Sequence, residues 1–157
     1  MISENFMLYN RKTKVQQDRK RELKMENIEA ATIEGNNSSV IIGVTSTIGT
    51  VTMNSNDATL EVMGTVTTVL VTETAQNSTI NVAENAAIES IIANSESTIQ
   101  GDGTVTNVTA NANVTVETQN TTVTVGENLS GILINDEEVA AGEAIVTPCP
   151  LLLLLEI

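Results

Sequence analysis

Carboxylates are the chemically active side chains over most of this chain. All seven Lys and Arg residues and both aromatic residues lie within the first 24 positions, and the 157 residues include no His. A glycoside hydrolase needs two carboxyl groups about 5–10 Å apart, and lyases of β-helical type generally need a Lys or Arg base. No aromatic residue after Tyr9 is present to hold a sugar ring. Four acids could lie on one face, Glu61, Glu73, Glu89 and Glu117, but nothing singles out a pair, so we expect no enzyme and assign no catalytic residue.

A single thiol and one acidic cluster are the other candidates for chemistry. Cys149 lies between two prolines, and catalysis or zinc binding by this thiol would require His partners that the chain lacks. Asp102 and the cluster Asp136-Glu137-Glu138 offer oxygen ligands for calcium, but no calcium-binding loop motif surrounds them. We assign no metal-binding or cofactor-binding residue and expect no cofactor.

Thr-x-Thr triplets form a further pattern, because some ice-binding solenoids display flat ranks of such triplets. An ice-binding face requires one triplet per coil, in register. The triplets that begin at Thr50, Thr65, Thr104 and Thr122 are unevenly spaced, with a middle step more than twice as long as either of the others, so ice binding is a minor alternative. The six triplets are Thr45–Thr47, Thr50–Thr52, Thr65–Thr67, Thr72–Thr74, Thr104–Thr106 and Thr122–Thr124.

The charge is divided between a basic start and an acidic body. The net charge is −13, and the 17 acids after Lys24 are accompanied by no base. Because affinity for nucleic acid comes chiefly from neutralisation of phosphates by Lys and Arg, such a body excludes nucleic acid as a partner. It also disfavours anionic lipid surfaces and suits a solvated, extracellular position.

Short apolar-x-apolar triplets are the elements that would position these side chains. Alternation places the two flanking residues of each triplet on one face of a strand, and Val, Ile and Thr favour strands. Asn and Gly between the triplets tolerate the left-handed dihedrals that sharp corners need. Ten triplets begin at Val51, Leu60, Val69, Ile80, Ile91, Ile99, Val108, Val114, Val123 and Ile132.

A longer unit also recurs and indicates a solenoid. Matching segments centre on Val51, Val69, Ile91 and Val108, at steps that are similar in length but not equal. Self-similarity at a period of roughly 20 residues is typical of stacked repeats. The variable period argues against a left-handed hexapeptide helix, which keeps a strict six-residue period. We predict an all-β, right-handed parallel β-helix of about five coils, with a β-sandwich as the alternative.

Three segments follow from the changes in composition. Residues 1–27 form a basic leader or cap, expected to be helical or disordered; residues 28–146 form the solenoid; residues 147–157 form an apolar tail. No secretory signal is recognisable, and the five residues Leu151–Leu155 are too few for a transmembrane segment.

The stretch Gly101–Val108, with Asn113–Val116, Thr122–Glu127 and Ser78–Ala86, resembles the Thr/Val/Asn-rich β-helical repeats of Gram-positive bacterial surface proteins, often found beside S-layer homology domains. The resemblance covers residues 30–145 and implies an extracellular structural or adhesive module, a spacer beside neighbouring domains of a longer protein. Binding of glycans or cell wall through the polar Thr/Asn face is the alternative function. A relic carbohydrate-active enzyme is a more remote one.

Overall fold

The structure, a computed structural model, describes residues 12–15, 20–23 and 27–147. These residues form strands and turns and contain no helix. The strands are β1 Lys12–Val15, β2 Lys20–Leu23, β3 Asn27–Ile33, β4 Ser39–Ile42, β5 Thr47–Met53, β6 Thr59–Val62, β7 Thr65–Val71, β8 Ser78–Val82, β9 Ala87–Ala93, β10 Ser97–Gln100, β11 Thr104–Ala110, β12 Val114–Val116, β13 Thr122–Val125, β14 Ile132–Ile134, β15 Glu137–Val139 and β16 Ala144–Val146.

Two parallel sheets run the length of the molecule. Sheet A has the order β1-β3-β5-β7-β9-β11-β13-β16, and sheet B has the order β15-β14-β12-β10-β8-β6-β4-β2. The chain therefore alternates between the sheets and adds one strand to each sheet per turn. This arrangement confirms the predicted parallel β-solenoid, with about six turns, and the β-sandwich is not favoured.

The pairing register confirms the repeat found in the sequence. Val51 pairs with Val69, Val69 with Ile91, and Ile91 with Val108, so the three unequal steps between these residues are successive coils. The coil lengths differ because the corners differ in length on both sides of the coil: 72–77 joins β7 to β8, whereas 94–96 joins β9 to β10. Met63-Gly64 joins β6 to β7 with two residues, whereas 83–86 joins β8 to β9 with four.

The long strands of sheet A each cover two faces of a coil. In β7, Val66 and Val69 are both buried although they are three residues apart, which strict alternation does not allow. The register also passes over Thr67: Ile48 pairs with Val66, and the next pair is Thr50 with Thr68. The strand therefore bends after its third residue.

The interior is a single aliphatic column. Its fully buried side chains are Ile, Val, Leu, Met and Ala, and each coil covers the core residues of its neighbour. Burial of each Val or Ile contributes about 1.5–3 kcal/mol to stability. Many such contributions replace the few large contributions that aromatic side chains make in a globular core. Small buried serines, such as Ser78 and Ser95, fill the corners and donate hydrogen bonds to the carbonyl of Ala75 at 2.8 Å.

The expectation of a helix in the leader is wrong for eight of its residues. Lys12–Val15 pairs in parallel with β3, and Lys20–Leu23 pairs in parallel with β4. The strand β3 is itself a full copy of the repeat, with Ile28 and Ala31 paired to Ile48 and Val51. The solenoid thus begins before residue 28. The edges of β3 and β4 pair with β1 and β2, although these two strands are rich in charged residues.

At the other end, two antiparallel strands follow the stack. Asn135 and Asp136 have φ of 51° and 66°, the left-handed pair that a tight hairpin turn requires, and β15 returns along β14. Residues 132–139 therefore form a β-hairpin with an acidic turn. β16 then pairs antiparallel with β13. Cys149 and Leu151–Leu155 lie outside the described residues.

Candidate functional site

One polar row runs along the outer surface of sheet B in strict register. Ser39 pairs with Thr59, Thr59 with Thr79, Thr79 with Thr98, and Thr98 with Thr115. Each of the five residues leaves its hydroxyl on the outer face, because the residue that follows it in the strand is buried. We call these five residues the hydroxyl row.

A second outer row lies two residues further along the same strands. Glu61, Asn81 and Gln100 are in register, each half-buried on the outer face. Adjacent rungs of a sheet are about 4.8 Å apart, so the two rows present hydroxyl, amide and carboxylate groups at a regular spacing. Such a surface is suited to hydrogen bonding with a polar polymer.

Side-chain ladders at the corners hold the coils in this register. Asn56 accepts the backbone N–H of Gln76 on its Oδ1 at 3.1 Å, and Asn36 accepts that of Asn56 at the same distance. The next residue in each of these turns has a positive φ: 58° at Asn37, 54° at Asp57 and 56° at Asn77. Asn and Asp tolerate this conformation better than other residues with side chains, so the same corner repeats from coil to coil.

A shallow groove lies where the hydroxyl row meets the C-terminal hairpin. Its volume is about 100 Å³, and Glu96 and Asp136 bring carboxylates to it. Asn113 accepts the N–H of Leu133 on Oδ1 at 3.0 Å, which fixes the amide within the groove wall. The groove is lined by Glu96, Ser97, Thr98, Asn113, Val114, Thr115, Leu133 and Asp136.

The hairpin beside the groove is fixed by one side-chain amide. Asn135 accepts the N–H of Val116 on Oδ1 at 2.6 Å and donates from Nδ2 to the carbonyl of Val116 at 3.0 Å. The amide thus satisfies the N–H and the C=O of Val116, which backbone groups of a neighbouring strand would otherwise satisfy. Nothing in the apolar-x-apolar pattern signals this role, because it depends on pairing across a coil.

The four acids selected from the sequence do not share one face. Glu61 lies on sheet B, Glu89 lies in β9 of sheet A, and Glu73 lies in the turn between β7 and β8. Glu117 follows β12, three coils beyond Glu61, which corresponds to about 14 Å along the stack. Glu61 and Glu117 alone share a row, and their separation exceeds the roughly 5–10 Å that a hydrolase pair needs.

The Thr-x-Thr triplets are likewise dispersed. Thr65–Thr67 and Thr104–Thr106 lie on the same face of sheet A, but the coil between them presents Ala87 and Glu89. Thr50–Thr52 and Thr122–Thr124 lie on the adjacent face, with three coils between them. These triplets therefore do not form one rank per coil.

Within residues 12–15, 20–23 and 27–147, no group of three or more His, Cys, Asp or Glu side chains is arranged to hold a metal ion. Asp102 is exposed at the corner after β10, and Asp136 to Glu138 form the exposed hairpin. The same part of the chain contains no helix long and apolar enough to cross a membrane. Comparison of the chain with protein-family models, curated proteins and solved structures finds no match.

Proposed function

We propose that this chain is a structural module of a bacterial cell-surface protein, which holds neighbouring domains of a longer chain apart and displays them outside the cell. The observation that supports the proposal is the continuous stack of coils with one repeated register. Each coil contacts only its neighbours, so length grows with coil number while the cross-section stays the same. The seven rungs from β1 to β13 span about 29 Å at about 4.8 Å per interval.

Insertion of the chain between a wall anchor and an epitope on a Gram-positive cell tests the spacer function. Accessibility of the epitope to an antibody should rise with the number of coils inserted, because each added coil moves the epitope further from the wall. A disordered Gly/Ser linker of equal residue number is the control, because its mean reach grows only as the square root of its length. Equal accessibility with both inserts at every length would contradict the proposal.

The second candidate function is binding of wall or other glycans along sheet B. The hydroxyl row and the groove beside it favour this function, because they place regularly spaced hydroxyl, amide and carboxylate groups on one accessible face. Polar groups placed in this way recognise polar ligands by hydrogen bonding. Catalysis is not part of either proposal.

Co-sedimentation of the full chain with isolated Gram-positive sacculi separates the two functions. Saturable pelleting that survives high salt supports glycan binding, and no pelleting leaves the passive spacer as the better account. The double variant Thr79→Arg and Thr98→Arg blocks the hydroxyl row and should abolish specific pelleting. Thr67→Arg with Thr106→Arg is the matched control, because these two exposed threonines lie on sheet A. Equal loss in both variants would count against a site on sheet B.

A further inference from the structure

The four terminal strands leave both ends of the stack open in the described part of the chain. β1 and β2 have partners on one side only, β3 and β4, and at the opposite end β16 and β15 have only β13 and β14. A strand edge with free N–H and C=O groups is a template for pairing with another chain. Both ends of the stack are therefore suited to pairing with a further strand.

The charges of the two ends are opposite. β1 contains Lys12 and Lys14, and β2 contains Lys20 and Arg21 with one acid, Glu22. At the other end the exposed acids are Asp136, Glu137, Glu138 and Glu143, and the described chain after Asn27 carries no base. Two basic ends repel each other, as do two acidic ends, whereas a basic end attracts an acidic one.

The strand directions also match for a second copy placed end to end. Each sheet begins with an N-terminal strand and ends with a C-terminal one: sheet A with β1 and β16, sheet B with β2 and β15. A coaxial second copy brings its β1 beside β16 and its β2 beside β15. Because β15 and β16 run antiparallel to the stack, both new junctions are antiparallel ladders, in which inter-strand hydrogen bonds lie perpendicular to the strands.

One exposed apolar side chain lies at this junction. Val146, on the outer strand β16, is 62% exposed, and Val44 is the other large hydrophobic residue so exposed among those described. Val44 lies in a corner turn on the side of the stack. A copy seated on β16 would cover one side of Val146, and this loss of exposed apolar surface favours association.

We propose that copies of this chain associate head to tail, with the basic β1–β2 end of one copy on the acidic β15–β16 end of the next. The contact is heterologous, so repeated addition gives an open filament rather than a closed dimer. The inference concerns the ends of the stack and goes beyond the spacer function, which does not depend on it.

Sedimentation velocity of the full chain over a range of protein concentrations tests the proposal. At ionic strength of about 0.01 M the mean mass should rise with concentration, and at about 1 M, where the Debye length is about 3 Å, it should fall toward the monomer. A monomer at every concentration and both salt levels would overturn the proposal. The same result would follow if the chain's own terminal residues covered the edges, and it would overturn the proposal in that case too.

Charge-exchange variants identify the interface. Glu137→Lys with Glu138→Lys places two bases on β15 opposite the basic β2 of the next copy, and Lys20→Glu with Arg21→Glu makes β2 acidic opposite the acidic β15. Each variant alone should associate at least about tenfold more weakly than the native chain, and an equimolar mixture should recover association by alternating the two. Glu84→Lys with Glu89→Lys, at exposed positions in the middle of the stack, is the matched control. A mixture that stays monomeric would overturn the proposal.

Val146→Lys provides a second variant that leaves the hairpin intact. It should weaken association because it adds a positive charge opposite the basic β1 of the next copy. Val44→Lys carries the same change away from the ends and should associate like the native chain. Equal behaviour of these two variants, with both folded by circular dichroism, would overturn the proposal.

Discussion

At the residue scale, asparagine rather than an apolar residue fixes the corners of this molecule. Asn36 and Asn56 each accept a backbone N–H from the next coil. At the hairpin, the side-chain amide of Asn135 bonds to both the N–H and the C=O of Val116. The sequence predicted that Asn would occupy corners because of its tolerance for positive φ. It did not predict the ladders, because the partners lie a whole coil apart along the chain and become neighbours only through the register.

The ladder at Asn56 gives a direct prediction of stability. Asn56→Ala removes the Oδ1 atom that accepts the N–H of Gln76, and the free energy of unfolding should fall by about 1 kcal/mol. Urea denaturation monitored by circular dichroism measures the change. Asn107→Ala, at an exposed position on β11, is the control and should change stability by no more than about 0.5 kcal/mol. Equal loss in both variants would show that the corner amide carries no stabilising hydrogen bond.

The shortest corner gives a second prediction at this scale. A β-carbon on Gly64 would overlap the carbonyl oxygens of Gly43 and Ser46 in the preceding coil, so Gly64→Ala should lower the free energy of unfolding by about 1–3 kcal/mol. Gly142 has φ of 74° and open space around its α-carbon, and Gly142→Asn should be nearly neutral. Thermal unfolding of the two variants should separate them clearly. A native-like midpoint for Gly64→Ala would contradict the close packing of these coils.

At the element scale, the period-2 pattern predicted the strands well because each strand has one buried face. All ten apolar-x-apolar triplets lie in or at the end of strands, and the register between Val51, Val69, Ile91 and Val108 was readable from their flanks. The strands β1 and β2 were missed, because charge and a lack of Gly suggested a helix there. A signal for the stack was nevertheless present just after them, because Ile28 and Ala31 repeat the spacing of Ile48 and Val51.

Two adjacent isoleucines test this alternation within one strand. Ile91 is fully buried between Val69 and Val108, whereas Ile92 is half-buried on the outer face. Ile91→Ala should lower the free energy of unfolding by about 2–5 kcal/mol through loss of burial and formation of a cavity. Ile92→Ala removes the same atoms and should cost about 1 kcal/mol or less. Chemical denaturation compares the two, and a reversed order would require the register of β9 to shift by one residue.

The groove and the hydroxyl row show the limit of prediction from the sequence. Thr98 and Thr115 belong to successive coils, and Asp136 reaches the same groove from a hairpin one coil further on. Their proximity depends on coil lengths that vary from one turn to the next. Glu61 and Glu117 lie along one row of sheet B, but the chain makes three coils between them, so they are not neighbours.

At the scale of the whole molecule, the structure is a column whose length is set by the number of coils. Stability in such a column is close to a sum over coils and their interfaces, and the lateral faces and the two ends have separate properties. The lateral faces carry polar rows, whereas the ends carry opposite charges. Spacing and end-to-end association are therefore independent consequences of one architecture.

Duplication of one coil tests the column directly. Thr59 pairs with Thr79 in the next coil, so a second copy of residues 59–78, inserted after Ser78, adds one complete coil. Spin labels at Asn27→Cys and Thr104→Cys, in a Cys149→Ser background, lie on one face of sheet A four coil intervals apart. Their α-carbons are thus about 19 Å apart.

Pulsed electron–electron double resonance on the native-length and duplicated chains then measures one distance in each. The account predicts a narrow distribution that moves outward by about 4.8 Å in the duplicated chain, with unchanged circular dichroism. An unchanged distance, or a broad distribution typical of a looped-out insertion, would contradict a stack of equivalent coils and the spacer function built on it.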